Sequence, residues 1–148
     1  TEGTPVLKKR SCGNRFEWTN IYKRGEYYYL FASIGTCCNG APSTYQTVVG
    51  RSKNVLGPYL DKTGRDMLYD YCEIIMSGND TWAGPGHNSI LIQDDVGTDW
   101  IIYHGYKKKE AENGGYVLMD KLIWSNDGWP SVKSNAPSIL EVAPYFQK

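Results

Sequence analysis

The side chains able to do chemistry are few and unevenly placed. There are two histidines, His87 and His104, and four cysteines, Cys12, Cys37, Cys38 and Cys72. No C-x-x-C pair occurs, so the spacing argues against a zinc cage. Cys37 and Cys38 are neighbours, and a bond between them would strain the backbone; Cys12 and Cys72 can pair in an oxidising compartment. His87 lies in Gly84-Pro85-Gly86-His87-Asn88-Ser89 at the mouth of a predicted strand. The glycines there permit a tight turn and a close backbone approach. On those residues alone, the simplest reading is a histidine bonded to carbonyls at a turn. Thr1 sets a hydroxyl beside an α-amine, as in N-terminal nucleophile hydrolases, but that fold needs helices and the sequence offers none. Asp94, Asp95 and Asp127 fall in turns, where solvation explains them. Lys107 to Lys109 run straight into Glu110 and Glu112, which reads as a solvated loop. Asn79-Asp80-Thr81 fits a glycosylation sequon.

The elements that must position these groups read as strands. Aromatics make up 14% of 148 residues, chiefly 12 Tyr and 5 Trp, punctuated by 16 Gly and 7 Pro. Tyr and Trp suit pleated, half-buried strands and Gly and Pro suit turns, so the composition predicts an all-β fold. Thr19–Tyr22, Tyr27–Ser33 and Tyr45–Ser52 read as strands of one unit, closed by Gly57-Pro58. Asn88–Gln93, Trp100–Tyr106, Tyr116–Trp124 and Trp129–Val132 repeat the layout of strand, short turn, aromatic strand, long loop and strand. Such repeats predict propeller blades or a sandwich. A propeller needs about four to eight blades of four strands, so two units cannot close a ring. The expectation is that this chain, which opens abruptly at Thr1-Glu2-Gly3, is one portion of a larger ring.

Sixteen basic and sixteen acidic residues cancel, which argues against a polyanion such as nucleic acid as partner. No apolar run approaches the ~20 residues of a membrane-spanning helix. No signal peptide is present, as in any mature or excised chain.

Three stretches carry a resemblance: GTCCNGAPSTYQTVVGRSKNVLGPY from Gly35 to Tyr59, WAGPGHNSI from Trp82 to Ile90, and DWIIYHGY with LMDKLIWSNDGWP between Asp99 and Pro130. Together they resemble glycoside hydrolase family 43 in its endo-1,5-α-L-arabinanase branch. The resemblance implies a five-bladed β-propeller, of which residues 1–148 would be the C-terminal portion, about two to three blades. It implies a secreted or periplasmic enzyme that cleaves α-1,5-arabinofuranosyl linkages of arabinan or arabino-oligosaccharides with inversion, completed by the N-terminal half of the same enzyme, which carries two aspartates.

The same resemblance implies roles for residues. Glu2, in Thr1-Glu2-Gly3-Thr4-Pro5, stands where the family keeps its general acid, with Thr4 as an extra residue inside the motif. An inverting pair must stand about 6.5–9.5 Å apart so that a water fits on the far face of the sugar, and the acid must hold a proton near neutral pH. His87 matches a histidine that reaches the central channel and ligates calcium. Since calcium prefers oxygen, water would supply most of its shell. His104 is expected to pack beside it. Asn39, Ser43, Thr44, Tyr45, Arg51 and Trp82 are expected along the sugar groove, Trp82 as the ring platform and Arg51 alternatively as a structural ion pair. Other activities of the family, β-xylosidase or exo-arabinofuranosidase, and a non-catalytic carbohydrate-binding module are the competing readings.

Overall fold

The computed structural model describes residues 12–147; Thr1 and Glu2 lie outside them. The first strand, β1 (Glu17–Arg24), turns at Gly25, whose φ of 57° suits glycine, into β2 (Tyr27–Ile34). β2 is the aromatic strand expected from Tyr27–Ser33, and it runs antiparallel to both β1 and β3 (Gln46–Ser52). The unit does not end at Gly57-Pro58. The chain crosses back through bridges Arg51↔Leu60 and Leu60↔Asp66 and adds a fourth strand, β4 (Glu73–Met76), beside β3. The sheet order is β1-β2-β3-β4. β4 offers only four residues of pattern, Glu-Ile-Ile-Met, too few for alternation to stand out.

The second sheet departs from expectation at its first strand. β5 (Trp82–Gly86) and β6 (Ile92–Gln93) both pair with β7 (Asp99–Lys107), at opposite ends of it. They are two halves of one interrupted strand, and only Ile92–Gln93 of the expected Asn88–Gln93 is regular. A proline inside β5 is tolerated because the strand is at an edge and its register shifts between Ala83 and Gly86. β8 (Tyr116–Lys121) pairs along the other side of β7, and a short ribbon of β9 (Ile123–Trp124) and β10 (Pro130–Ser131) completes the unit. Among the described residues helix is confined to short 3-10 turns, the longest being Lys108–Asn113, which is kinked at Glu110. The fold is all-β, in consecutive antiparallel blade-like sheets of a β-propeller, as expected.

One core joins the sheets. Tyr29, Phe31 and Val49 of the first pack against Leu91, Ile101, Tyr103, Leu122 and Trp129 of the second. Each such side chain contributes about 1.5–3 kcal/mol through burial. Alternation along β7 sends Ile101 and Tyr103 into this core and Ile102 and His104 to the opposite face. There Val117, paired with His104, is 81% exposed, and Ile90 is 70% exposed. A second cluster, with Leu30, Ala32, Val48, Tyr59 and Met67, covers the outer face of the first sheet. Cys12 and Cys72 pack against it, and the Cys72 sulfur accepts a hydrogen bond from Arg15.

Asp99 ties the two sheets together. It is 2% exposed and accepts hydrogen bonds from Tyr22 (2.6 Å), Arg24 (3.3 Å), Gln93 (3.0 Å) and the Trp124 indole (2.7 Å). Asp94 organises the 94–98 turn and the C-terminal segment in the same way, accepting from Thr98, Trp100 and Tyr145. Burial opposes ionisation of Asp94, but these hydrogen bonds outweigh it and hold the carboxyl below its usual range. The sequon asparagine is likewise structural. Asn79 Oδ1 accepts from the amides of Thr81 (2.9 Å) and Trp82 (2.8 Å), and its Nδ2 donates to the Pro137 carbonyl (3.0 Å).

Candidate functional site

Where the two sheets meet, a break in each inner strand brings polar and aromatic groups together. β1 shifts register between Glu17 and Asn20, and Trp18 takes φ 51° there. Facing it, the gap between β5 and β6 puts His87 at φ 55°. Bulky and aromatic side chains rarely occupy this left-handed region, and residues held there cluster at functional sites. The two rings stack, with centroids 3.6 Å apart and planes 19° from parallel. The His87 amide donates to Ser33 Oγ (2.8 Å), which anchors the break to β2. Asn20 Nδ2 donates across the seam to the Asn88 carbonyl (3.3 Å). The side-chain oxygens of Asn20 and Asn88 are buried and find no donor among the described residues.

Glu17 enters the site from the residue before Trp18. Its Oε2 accepts the Tyr45 hydroxyl at 2.6 Å. Burial first, then the Glu17 contact, pushes the Tyr45 phenol well above its ordinary value, so it remains a donor. The Tyr45 ring lies on Gly86, where an added Cβ would fall 2.5 Å from Tyr45 Cδ1. Gly84, at φ 58°, would meet the Ser43 Cβ at 2.6 Å. The Gly-Pro-Gly run therefore makes room for the 43–45 segment as well as turning the chain. His104 sits 6.1 Å from Tyr45 and 5.9 Å from His87, centroid to centroid. Burial, and next the neighbouring His87, hold its imidazole below the ordinary value, while a hydrogen bond to the Gly86 backbone opposes them. His104 is thus a neutral packing group near pH 7.

Above this cluster the loop between β2 and β3 carries Cys37 and Cys38, joined to each other. Cys38 takes φ 64°, in the left-handed region. It is the one disulfide among the described residues. Ser43 Oγ accepts the Asn39 amide (3.0 Å), and Thr44 hydrogen-bonds Thr36 (2.9 Å), closing the loop on itself. A cavity of about 480 Å³ opens beside it, lined by Ser43, Thr44, Tyr45, Trp82, Gly84 and Lys108 among others. Its Trp82 indole N–H has no acceptor among the described residues.

The structure therefore brings Ser43, Thr44, Tyr45 and Trp82 to one cavity and places His87 beyond Tyr45. Asn39 stands in the adjoining loop. Trp82 is only 8% exposed and meets the Tyr116 ring edge-on, so little of it offers a platform. Arg51 is separated from the others by most of β3, about 20 Å at strand rise. Its guanidinium is held between the Tyr27 and Trp129 rings, 4.4 Å from each, and donates to the Asp127 carbonyl (2.6 Å). That is structural stacking, not the ion pair anticipated as its alternative. Glu2 lies outside the described residues. The sequence reading missed Glu17 and Trp18 because it began the first strand at Thr19. A carboxylate and an aromatic just ahead of a strand paired to the Tyr27–Ile34 run were the available signal.

Comparison with known proteins accords with this arrangement. Residues 4–130 match glycosyl hydrolases family 43. An extracellular exo-alpha-(1->5)-L-arabinofuranosidase of Cellvibrio japonicus is 48% identical over 115 residues, which are 76% of this chain and 31% of that protein. An extracellular endo-alpha-(1->5)-L-arabinanase of Bacillus subtilis is 44% identical over 128 residues, 85% of this chain and 37% of that protein. The chain thus spans about a third of the length of these relatives. Among solved structures, the Cellvibrio cellulosa alpha-L-arabinanase complexed with arabinohexaose superposes with a TM-score of 0.76 at 44% identity, over 81% of this chain and 37% of that one. The match runs through both sheets and the seam between them, and on it the chain belongs to glycosyl hydrolases family 43.

Proposed function

We infer that this chain takes part in hydrolysing α-1,5-arabinofuranosyl linkages of arabinan by an inverting acid/base mechanism, and that Glu17 is the carboxyl it contributes as general acid. The observation that carries this reading is the hydrogen bond from Tyr45 to Glu17 at 2.6 Å beside the Trp18–His87 stack. It fixes an exposed carboxyl at the seam of the two sheets. The sequence placed the acid at Glu2, which lies ahead of residue 4, where the family match begins. In the reaction, the acid's proton passes to the glycosidic oxygen as the bond from that oxygen to the anomeric carbon breaks. A water attacks the opposite face and loses its proton to a second carboxylate. That base is assigned to the part of the enzyme that the relatives possess beyond this chain, about two-thirds of their length.

The cavity of Ser43, Thr44, Tyr45 and Trp82 is the proposed extension of the sugar groove. Its orphaned indole N–H is buried and suits a bound water as acceptor. Calcium fits the seam as a largely hydrated ion. Stacking on Trp18 uses the faces of the His87 ring and leaves its nitrogens, which lie in the ring plane, available. The donor-free oxygens of Asn20 and Asn88 are the hard acceptors that such a shell prefers. A bound ion would supply fixed positive charge near the reacting sugar. Names of relatives that include "extracellular", together with the Cys37–Cys38 bond, support a secreted or periplasmic setting.

The test is to assay the chain alone and joined to the N-terminal portion of the Cellvibrio japonicus relative on linear arabinan. The chain alone should release little or no sugar, and the joined protein should be active. Glu17→Gln should then lower turnover by about 10²–10⁴-fold, with Glu2→Gln near the parent. An unaffected Glu17→Gln variant would remove the assignment. The relatives' names split between exo and endo action, and product lengths from the joined protein decide which this chain supports.

A further inference from the structure

We propose that Trp18 is a sugar platform, its outer indole face receiving the apolar face of an arabinofuranosyl ring beside Glu17. The inference rests on the reading of the seam as a glycan-cleaving site. Of the five tryptophans, Trp82, Trp100 and Trp129 are buried and Trp124 donates its indole N–H to Asp99. Trp18 alone stands out, at 59% exposed.

Its exposure is not that of a loose surface side chain. The β1 bulge turns it out of the sheet in a left-handed conformation that a tryptophan adopts at a cost. His87, from the other sheet, backs its inner face at 3.6 Å, and His87 is itself pinned through its amide to the buried Ser33. An indole held on one face and, among the described residues, exposed on the other is pre-organised. Little rotamer freedom remains to be lost when a ring settles on it. Aromatic faces carry large contact area in few torsions, and the C–H face of a furanoside is the complementary surface. Glu17, one residue away, puts the carboxyl that Tyr45 holds at the edge of that platform.

The experiment titrates linear 1,5-arabinohexaose, and xylohexaose in parallel, into the 148-residue chain. Saturation-transfer NMR and tryptophan fluorescence report binding for the parent, Trp18→Ala and Trp18→Phe. The expected result is millimolar arabinohexaose binding by the parent. Trp18→Ala should weaken it about tenfold or more, and Trp18→Phe should remain near the parent. Equal binding by Trp18→Ala, or no glycan binding by the parent, overturns the proposal. Binding of xylohexaose alone, lost in Trp18→Ala, keeps the platform but overturns the arabinan reading. Arabinohexaose binding that ignores Trp18 does the reverse.

Discussion

Tyr45 and Glu17 are 28 residues apart, yet the phenol of one donates to the carboxylate of the other at 2.6 Å, with the Tyr45 ring 1% exposed. A fully buried ring thus holds an exposed carboxylate at a fixed angle. Tyr45→Phe keeps the ring and removes only that hydrogen bond. The expected loss is about 1–2 kcal/mol of stability, seen as a lower urea midpoint with an unchanged slope. In the joined enzyme turnover should fall on arabinan while an activated aryl glycoside is spared, because the latter hardly needs the proton.

Gly86 makes that ring's position available. A methyl group there would sit 2.5 Å from Tyr45 Cδ1 and 3.0 Å from Cε1. Gly86→Ala should cost about 1–3 kcal/mol through overpacking. A double-mutant cycle with Tyr45→Ala is the check: the pair should be clearly less destabilising than the sum of the two changes. Simple additivity would mean that the contact is not what makes glycine necessary.

Asp99 should be the most sensitive carboxylate for folding. Asp99→Ala strands the Trp124 indole and the Tyr22 hydroxyl and removes the partner of Arg24. A loss of about 3 kcal/mol is expected. Asp99→Asn keeps one acceptor oxygen and should lose less. Equilibrium urea unfolding followed by tryptophan fluorescence measures both.

Alkaline pH should unfold the chain through its tyrosines. Burial first, then the Asp99 hydrogen bond, raises Tyr22 to about 12, and burial raises Tyr59 to about 12. Tyr29, Tyr45 and Tyr103 shift in the same direction, with burial the largest cause in each. An unfolded tyrosine releases its proton near 10. Above that pH the unfolded state binds fewer protons than the native one, so stability falls as pH rises. The contribution is complete below about 10 and is lost from there through about 12. Absorbance at 295 nm should show these five tyrosines titrating only with loss of the β-sheet circular dichroism.

The fold was legible where side-chain alternation and aromatic content coincide. β2, β3 and β7 all fall within a residue or two of their expected bounds. It was illegible where tertiary pairing overrides local preference. Trp-Ala-Gly-Pro-Gly is a poor strand by composition, yet β7 recruits it as an edge. The site divides in the same way. His87 was marked by its glycines, and the 43–45 segment by its run of polar residues. Glu17 and Trp18 offered only a carboxylate and an aromatic just ahead of a strand, because their significance comes from residues 28 and 69 positions further on, Tyr45 and His87. Trp82 looked like a platform from its nearness in sequence to His87, but edge-strand packing on Tyr116 buries it. Arg51 looked like a groove residue from its stretch of sequence, and strand geometry carries it to the far end of the sheet.

The apolar face beside His104 also bears on how this chain behaves in a test tube. Ile90 and Val117 form part of a surface with no cover among the described residues, and the formal charge of the whole chain is zero near neutral pH. With no net repulsion between molecules, such patches find one another as concentration rises. The colloidal optimum of a solution of this chain therefore lies well to either side of its isoelectric point of about 6.6, where like charge keeps the uncovered faces apart.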